Sequence, residues 1–263
     1  MVNESTVREE TPVLRKATEN SEQRFERKFF VPPGKKEFAC TLLRQVCRPD
    51  IEYPWSQINT LYFDTPDLDQ YQRSASGEFR KDKVRIRWYD GTEDSRGRVP
   101  VFLELKSRRG FASSKQRRRM LVSSELLEMS SMSAGIVKKG VLLDTLAGFG
   151  HCLDKPLRPV ILVTYSRYRF NEMFTGMRVS FDYDIRSSIV AVDIGYGEQE
   201  LLLQGAVIEI KGLTLEIPQT LRQIKLVVPD WGRFSKYAFG IDSHLSGPGS
   251  VGRLWPSGRI GEL

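Results

Sequence analysis

The sequence predicts an α+β fold: an eight-stranded antiparallel β-barrel with helices packed outside. Residues 83–89, Lys-Val-Arg-Ile-Arg-Trp-Tyr, alternate strictly. Lys83, Arg85 and Arg87 therefore share one side of an extended strand, with Val84, Ile86 and Trp88 on the other. The same pattern of charge on one face recurs in several other segments. Eight or so such segments, separated by turn residues, are enough to close a barrel, which also removes exposed edges.

The elements follow in order. Residues 24–31 form the first strand, with Arg24, Glu26 and Lys28 on one face and Phe25, Phe29 and Val31 opposite. Pro33-Gly34 opens a helix that runs to about Cys47, with Phe38, Leu42 and Val46 on one face. Residues 58–64 are the second strand, ended by Thr65-Pro66, and 83–89 are the third, closed by Asp90-Gly91. Residues 101–106 and 115–122 read as a hairpin across a turn containing Gly110. Residues 123–150 read as helical, with Ile136, Leu142, Leu143 and Leu146 as apolar positions. Strands follow at 160–170, 177–185, more weakly at 188–192, and at 206–211. Residues 219–227 and 233–239 read as helices. The ordered domain is expected over 21–242, between a polar arm at 1–20 and a Gly/Ser/Pro-rich tail at 243–263, both read as flexible.

Composition narrows the function. The net charge of +7 and a pI of about 9.3 favour anionic partners. Cys40, Cys47 and Cys152 are sparse and odd in number, which predicts a reducing, cytoplasmic context. With only His151 and His244 as histidines, a zinc site is not expected. Residues 1–20 lack the apolar core of a signal peptide, and no apolar run is long enough to cross a bilayer.

A charged strand face is ordinarily a solvated one. Here the faces repeat: Lys83, Arg85 and Arg87; Glu104 and Lys106; Lys115, Arg117 and Arg119; Arg167 and Arg169; Arg178, Ser180, Asp182 and Asp184; Glu209 and Lys211. Side chains on one face lie about 7 Å apart, so like charges in file repel. Closed inward, these faces would make a cationic tunnel that is unstable without an anion. Arginine forks suit phosphate oxygens in particular.

Several segments together resemble the triphosphate tunnel metalloenzyme (CYTH-like) superfamily, and within it the VTC polyphosphate polymerase branch. They are Arg24-Phe25-Glu26-Arg27-Lys28, Leu61-Tyr62-Phe63-Asp64-Thr65 with Tyr71 downstream, Val84-Arg85-Ile86-Arg87-Trp88-Tyr89, and Phe102-Leu103-Glu104-Leu105-Lys106. Ser114-Lys115-Gln116-Arg117, Arg167, Arg178-Val179-Ser180-Phe181-Asp182, Ile208-Glu209-Ile210-Lys211 and Phe234-Ser235-Lys236-Tyr237 complete the set, in the family's order over about 22–242. The resemblance implies an eight-stranded tunnel that transfers the γ-phosphate of ATP to a growing inorganic polyphosphate chain with Mn2+ or Mg2+. It implies phosphate ligands at Lys28, Arg85, Arg87, Lys106, Lys115, Arg167, Arg178 and Lys236, with Lys83, Arg117, Lys211, Arg73 and Ser235 as further substrate contacts. Glu209 is the implied metal ligand, and Glu26 is either a second one or an ion-pair partner. Arg73 and Lys81 compete for a basic position just upstream of the Arg-x-Arg strand.

Arg24 departs from the Glu-x-Glu-x-Lys strand of the superfamily's hydrolases. A cation in place of a carboxylate weakens metal binding and water activation, which favours transfer over hydrolysis. A triphosphatase of the same fold and a non-catalytic polyphosphate-binding module are the alternatives. A nucleic-acid binder is disfavoured, because the cations alternate with core residues and not with exposed aromatics. The sequence leaves the oligomeric state open. Product export would require a membrane-protein partner, and the net charge also suits an anionic membrane surface. Trp88 is expected to pack under the helices and Asp64 to cap the turn before Pro66. Ser235-Lys236-Tyr237 sits either at the ligand or on a helix packed outside the barrel.

Overall fold

The computed structural model describes residues 25–245 except 111, 192, 195–198, 215, 229–231 and 233. Arg24 and Arg233, the arm at 1–20 and the tail beyond 245 lie outside the described residues. The strands are β1 (Phe25–Val31), β2 (Cys47–Pro49), β3 (Trp55–Asp64), β4 (Arg80–Tyr89), β5 (Arg98–Arg109), β6 (Ala112–Ser123), β7 (Arg158–Glu172), β8 (Arg178–Ile189) and β9 (Leu201–Gly212). The helices are α1 (Lys36–Val46), α2 (Asp69–Ala75), α3 (Met129–Met132), α4 (Lys139–Gly148), α5 (Ile224–Val227) and α6 (Lys236–Leu245).

All pairings are antiparallel, in the order β1-β9-β8-β7-β3-β4-β5-β6, with β2 beside β7. Register puts the charged faces together: Arg85 opposes Glu104, Lys83 opposes Lys106, Arg167 opposes Asp182 and Lys28 opposes Glu209. The expected closed barrel is corrected in one respect. Among the described residues, β1 and β6 are the two ends of the strand path and do not pair with each other. A charged edge opposes pairing, and β6 exposes Arg117, Arg118 and Arg119 in succession. Side chains bridge the opening instead: Lys106 on β5 reaches Glu26 on β1 at 3.0 Å.

The apolar faces make the core. Under α1 and α5, Phe29, Val31, Leu42, Leu43, Phe181, Ile208 and Ile224 form one cluster. Under α3 and α4, Val84, Ile86, Trp88, Leu103, Met132, Ile136 and Leu146 form another, so Trp88 packs under the helices. A third joins Tyr237 and Ile241 of α6 to Ile58, Tyr62, Ile161 and Val207. No helix among the described residues is long and apolar enough to cross a membrane.

Other differences have local causes. Cys47 is already extended (φ −131°, ψ 148°) and opens β2 instead of ending the helix. The helical stretch expected at 123–150 is broken at Gly135 (φ 93°), which separates α3 from α4. Of the weak strand expected at 188–192, Ser188 and Ile189 are the end of β8 and residue 192 lies outside the described residues; the sequence pattern divides β8 because Asp184 occupies a bulge at φ 48°. Asp184 therefore leaves the Ser180/Asp182 file and lies 3.7 Å from Lys36. The helix expected at 233–239 starts at Lys236 and continues to Leu245.

Gly205 in β9 has φ 147°, and a Cβ there would stand 2.7 Å from the Val31 carbonyl oxygen. Gly205→Ala is expected to cost about 1–3 kcal/mol, read as a lowered midpoint in chemical denaturation. An unchanged midpoint would show that β1 and β9 separate there without strain.

Candidate active site

The inward face of the sheet, with α2 and α6, encloses a cavity of about 610 Å³. Among the described residues that line it, lysines and arginines outnumber carboxylates by eleven to three. Glu26, Lys28, Lys83, Arg85, Arg87, Lys106, Arg167, Glu209, Lys211, Ser235 and Lys236 all line it. Alternation along the strands explains the convergence, since each strand contributes every second residue.

Four carboxylates organise these cations. Glu104 accepts from Arg85 Nε at 2.9 Å and Nη2 at 2.7 Å, and Lys115 Nζ stands 3.3 Å away. Burial opposes its ionisation, but Arg85, Arg87 and Lys115 outweigh burial and hold its pKa well below the glutamate range. Glu26 takes Lys28 at 2.8 Å and Lys106 at 3.0 Å. Glu209 takes Lys211 at 2.5 Å, with Arg167 3.8 Å away. Burial and mutual repulsion work against Glu26, and burial against Glu209, yet the surrounding cations keep both pKa values low. Asp182 binds Arg167 through two bonds of 2.5 and 2.7 Å and also Lys236. Burial lowers the Lys106 pKa to about 8, since Glu26 compensates only in part and Lys28 and Lys211 repel.

The arginines differ in how firmly they are held. Arg85 and Arg167 each spend two N–H groups on a carboxylate. Arg87 makes only long bonds, to Thr60 Oγ1 at 3.4 Å and Tyr165 Oη at 3.3 Å. Its guanidinium is the readiest of the three to turn toward an anion.

The start of α6 is fixed by three successive residues. Ser235 Oγ accepts from Lys83 Nζ at 2.7 Å, Lys236 pairs with Asp182, and Tyr237 Oη donates to Asp64. Asp64 is wholly buried and also accepts the N–H groups of Thr65, Gln70 and Tyr71 at 2.7–2.9 Å. It thus caps the turn, as expected, and additionally anchors α6. Tyr237 stacks on Tyr62 at 4.9 Å. Within the Ser-Lys-Tyr motif, Tyr237 is core, while Ser235 and Lys236 line the cavity.

Four residues singled out from sequence lie outside the cavity lining. Lys115 approaches it only through Glu104. Arg117 covers the Phe102 ring at 5.2 Å. Arg178 is exposed at the start of β8, and Arg73 on α2 is exposed and 4.0 Å from Glu78. Conversely, Tyr62, Tyr165 and Arg108 line the cavity without having been singled out. The inward parity of their strands was the available signal for Tyr62 and Tyr165.

A divalent cation is compatible with this chemistry in one form. Among the described residues no three His, Cys, Asp or Glu side chains gather as a metal cluster. Glu26 and Glu209 do neighbour each other closely enough to interact electrostatically. A pair of carboxylates completed by phosphate oxygens is a usual arrangement for Mg2+.

The four carboxylates also set an acid limit. Their pKa values are depressed in the folded state, so the stability they supply is present above about pH 4.5, the ordinary glutamate value, and is lost as pH falls below it. A thermal midpoint that falls steeply between about pH 4.5 and 2 is expected; a flat profile would contradict the ion-pair assignment.

Two solved structures resemble the chain. A putative adenylate cyclase from Bacillus halodurans is 17% identical, over 89% of this chain and 97% of its own, with a TM-score of 0.46. A putative adenylyl cyclase from Hippeastrum, described as having a dominant triphosphatase activity, is 17% identical over 82% of this chain and 93% of its own, with a TM-score of 0.44. No curated protein matches the chain. The family model of the VTC domain matches residues 23–245, a span that contains all the described residues and all the cavity-lining strands. The chain belongs to the VTC domain family.

Proposed function

We propose that this domain is a polyphosphate polymerase, transferring the γ-phosphate of ATP onto the end of an inorganic polyphosphate chain held in the cavity. The observation that carries the reading is the excess of cations, eleven lysines and arginines to three carboxylates, among the described residues lining one cavity. Phosphoryl transfer needs positioning and charge neutralisation more than covalent help from the protein. Lys83, Arg85 and Arg87 rise in file along β4 and suit consecutive phosphates.

In the reaction, a terminal oxygen of the polyphosphate chain attacks the γ-phosphorus of ATP. The bond from that phosphorus to the β–γ bridging oxygen breaks, and ADP leaves. The attacking oxygen is already ionised, so no general base is required, in keeping with a cavity lined by no histidine. Arg87 and Lys236 are suited to neutralise charge on the transferring group. Arg85 and Arg167, held by Glu104 and Asp182, provide fixed orientation. Glu209, with Glu26, would hold Mn2+ or Mg2+, which when bound neutralises phosphate oxygens. Arg24, standing where the hydrolase branch has a glutamate, supports transfer over hydrolysis.

Incubation with ATP and Mn2+ is expected to yield long-chain polyphosphate. Rapid phosphate release from tripolyphosphate, with no chain growth, would replace this reading with a triphosphatase. Arg85→Ala combined with Arg87→Ala is expected to lower synthesis by at least about 100-fold while the circular dichroism spectrum is retained. Retained synthesis would overturn the assignment of these arginines. Glu209→Gln should abolish the metal dependence of the rate; an unchanged metal titration would remove Glu209 from that role.

A further inference from the structure

The lysines of the cavity differ in their partners. Lys28 and Lys106 pair with Glu26, Lys211 with Glu209 and Lys236 with Asp182. Lys83 instead donates to a neutral hydroxyl, Ser235 Oγ, at 2.7 Å. Its other close neighbour is the Tyr237 ring, 5.9 Å from Nζ to the centroid. The charged groups that act on it most strongly are Lys28 from β1, Lys106 from β5, and Arg85 and Lys81 from its own strand, all cations. The surrounding carboxylates have other partners: Glu26 and Glu104 hold other cations, Asp182 holds Arg167 and Lys236, Asp64 takes Tyr237 and Asp242 takes Tyr71. A charged ammonium surrounded in this way, partly removed from water, is strongly disfavoured.

We propose that Lys83 and Ser235 form a proton-coupled phosphate seat: the Lys83 amine is neutral in the empty cavity, and a phosphate oxygen arriving beside it brings one proton onto the amine. Burial, followed by Lys28, Lys106, Arg85 and Lys81, pushes the Lys83 pKa well below the lysine value, which agrees with this geometry. An anion reverses both effects, because it supplies the missing countercharge and screens the neighbouring cations. Ser235 caps α6 through its contact with the Ala238 N–H at 3.3 Å, so the hydroxyl keeps a partner when the amine turns to the ligand. The inference rests on the reading that the cavity takes phosphate chains, and adds that filling it costs the solvent a proton.

The sign of the coupling follows. The free pKa of Lys83 is low and the bound pKa is higher, so binding takes up a proton between them, and affinity falls as pH rises through that window. The test is calorimetric titration of inorganic tripolyphosphate into the full chain, in buffers of differing ionisation enthalpy. Lys83→Arg is the reference, since its side chain stays charged in both states, while protons exchanged by the ligand itself are common to both proteins. The wild type is expected to take up close to one proton more than Lys83→Arg. Its affinity should also fall more steeply as pH rises toward the ordinary lysine value of 10.5, by up to about ten-fold per pH unit. Equal proton uptake with tight binding would overturn the coupling and leave the phosphate reading intact; no binding by the wild type would overturn both. A measurement on the wild type alone guards against a misfolded variant. Mapped acylation by an amine-selective reagent should modify Lys83 faster than Lys236, and tripolyphosphate should suppress the difference. Reaction at Lys83 no faster than at Lys236 would count against a neutral amine.

Discussion

Each of the four carboxylates on the inner face is shared by at least two cations: Glu26 by Lys28 and Lys106, Glu104 by Arg85 and Lys115, Asp182 by Arg167 and Lys236, Glu209 by Lys211 and Arg167. Sharing of this kind reduces repulsion but does not balance the charge. It fixes where the cations point while leaving an excess of positive charge that an anion would neutralise. Buried ion pairs are weak sources of stability, because desolvation offsets their attraction. Their value here is geometric. They hold long, flexible side chains in one arrangement before a ligand arrives, so less ordering remains to be done on binding.

The same constraint joins the parts of the fold. The Glu26–Lys106 contact spans the gap that backbone pairing leaves between the ends of the sheet. Asp182 and Lys83 draw in Lys236 and Ser235, and Asp64 takes Tyr237, so three strands fix the first turn of α6. That turn forms a wall of the cavity. Shape and electrostatics are therefore linked: a change of charge on β4 or β8 also alters how α6 is held.

Much of this was legible in the sequence. Strict alternation in β4 identified the inward cations, and charged alternation in β5, β7 and β9 extended the pattern. Their burial is an outcome of period-two geometry, which a sequence states directly. Three features were not legible. Whether the sheet closes depends on the conduct of its edges, and the exposed Arg117–Arg118–Arg119 run of β6 reads in sequence like any other basic face. The position of a residue along the strand axis is also hidden. Arg178 has the inward parity of Asp182 yet lies exposed at the strand's start. The short helix α2 follows a left-handed Leu68 (φ 58°) and has no apolar periodicity long enough to announce it. Asp64 was recognisable as a cap, but its bond to Tyr237 crosses 173 positions and belongs to tertiary structure alone.

The central claim is that the empty cavity holds an uncompensated excess of positive charge that a phosphate chain relieves. Thermal unfolding with and without inorganic polyphosphate, at low and high salt, tests it most directly. The account predicts a marked rise in the midpoint with polyphosphate, by mass action on the folded state. It predicts that the rise shrinks at high salt and is largely lost when Arg85 and Arg87 are both alanine. A midpoint indifferent to polyphosphate at low salt would contradict it.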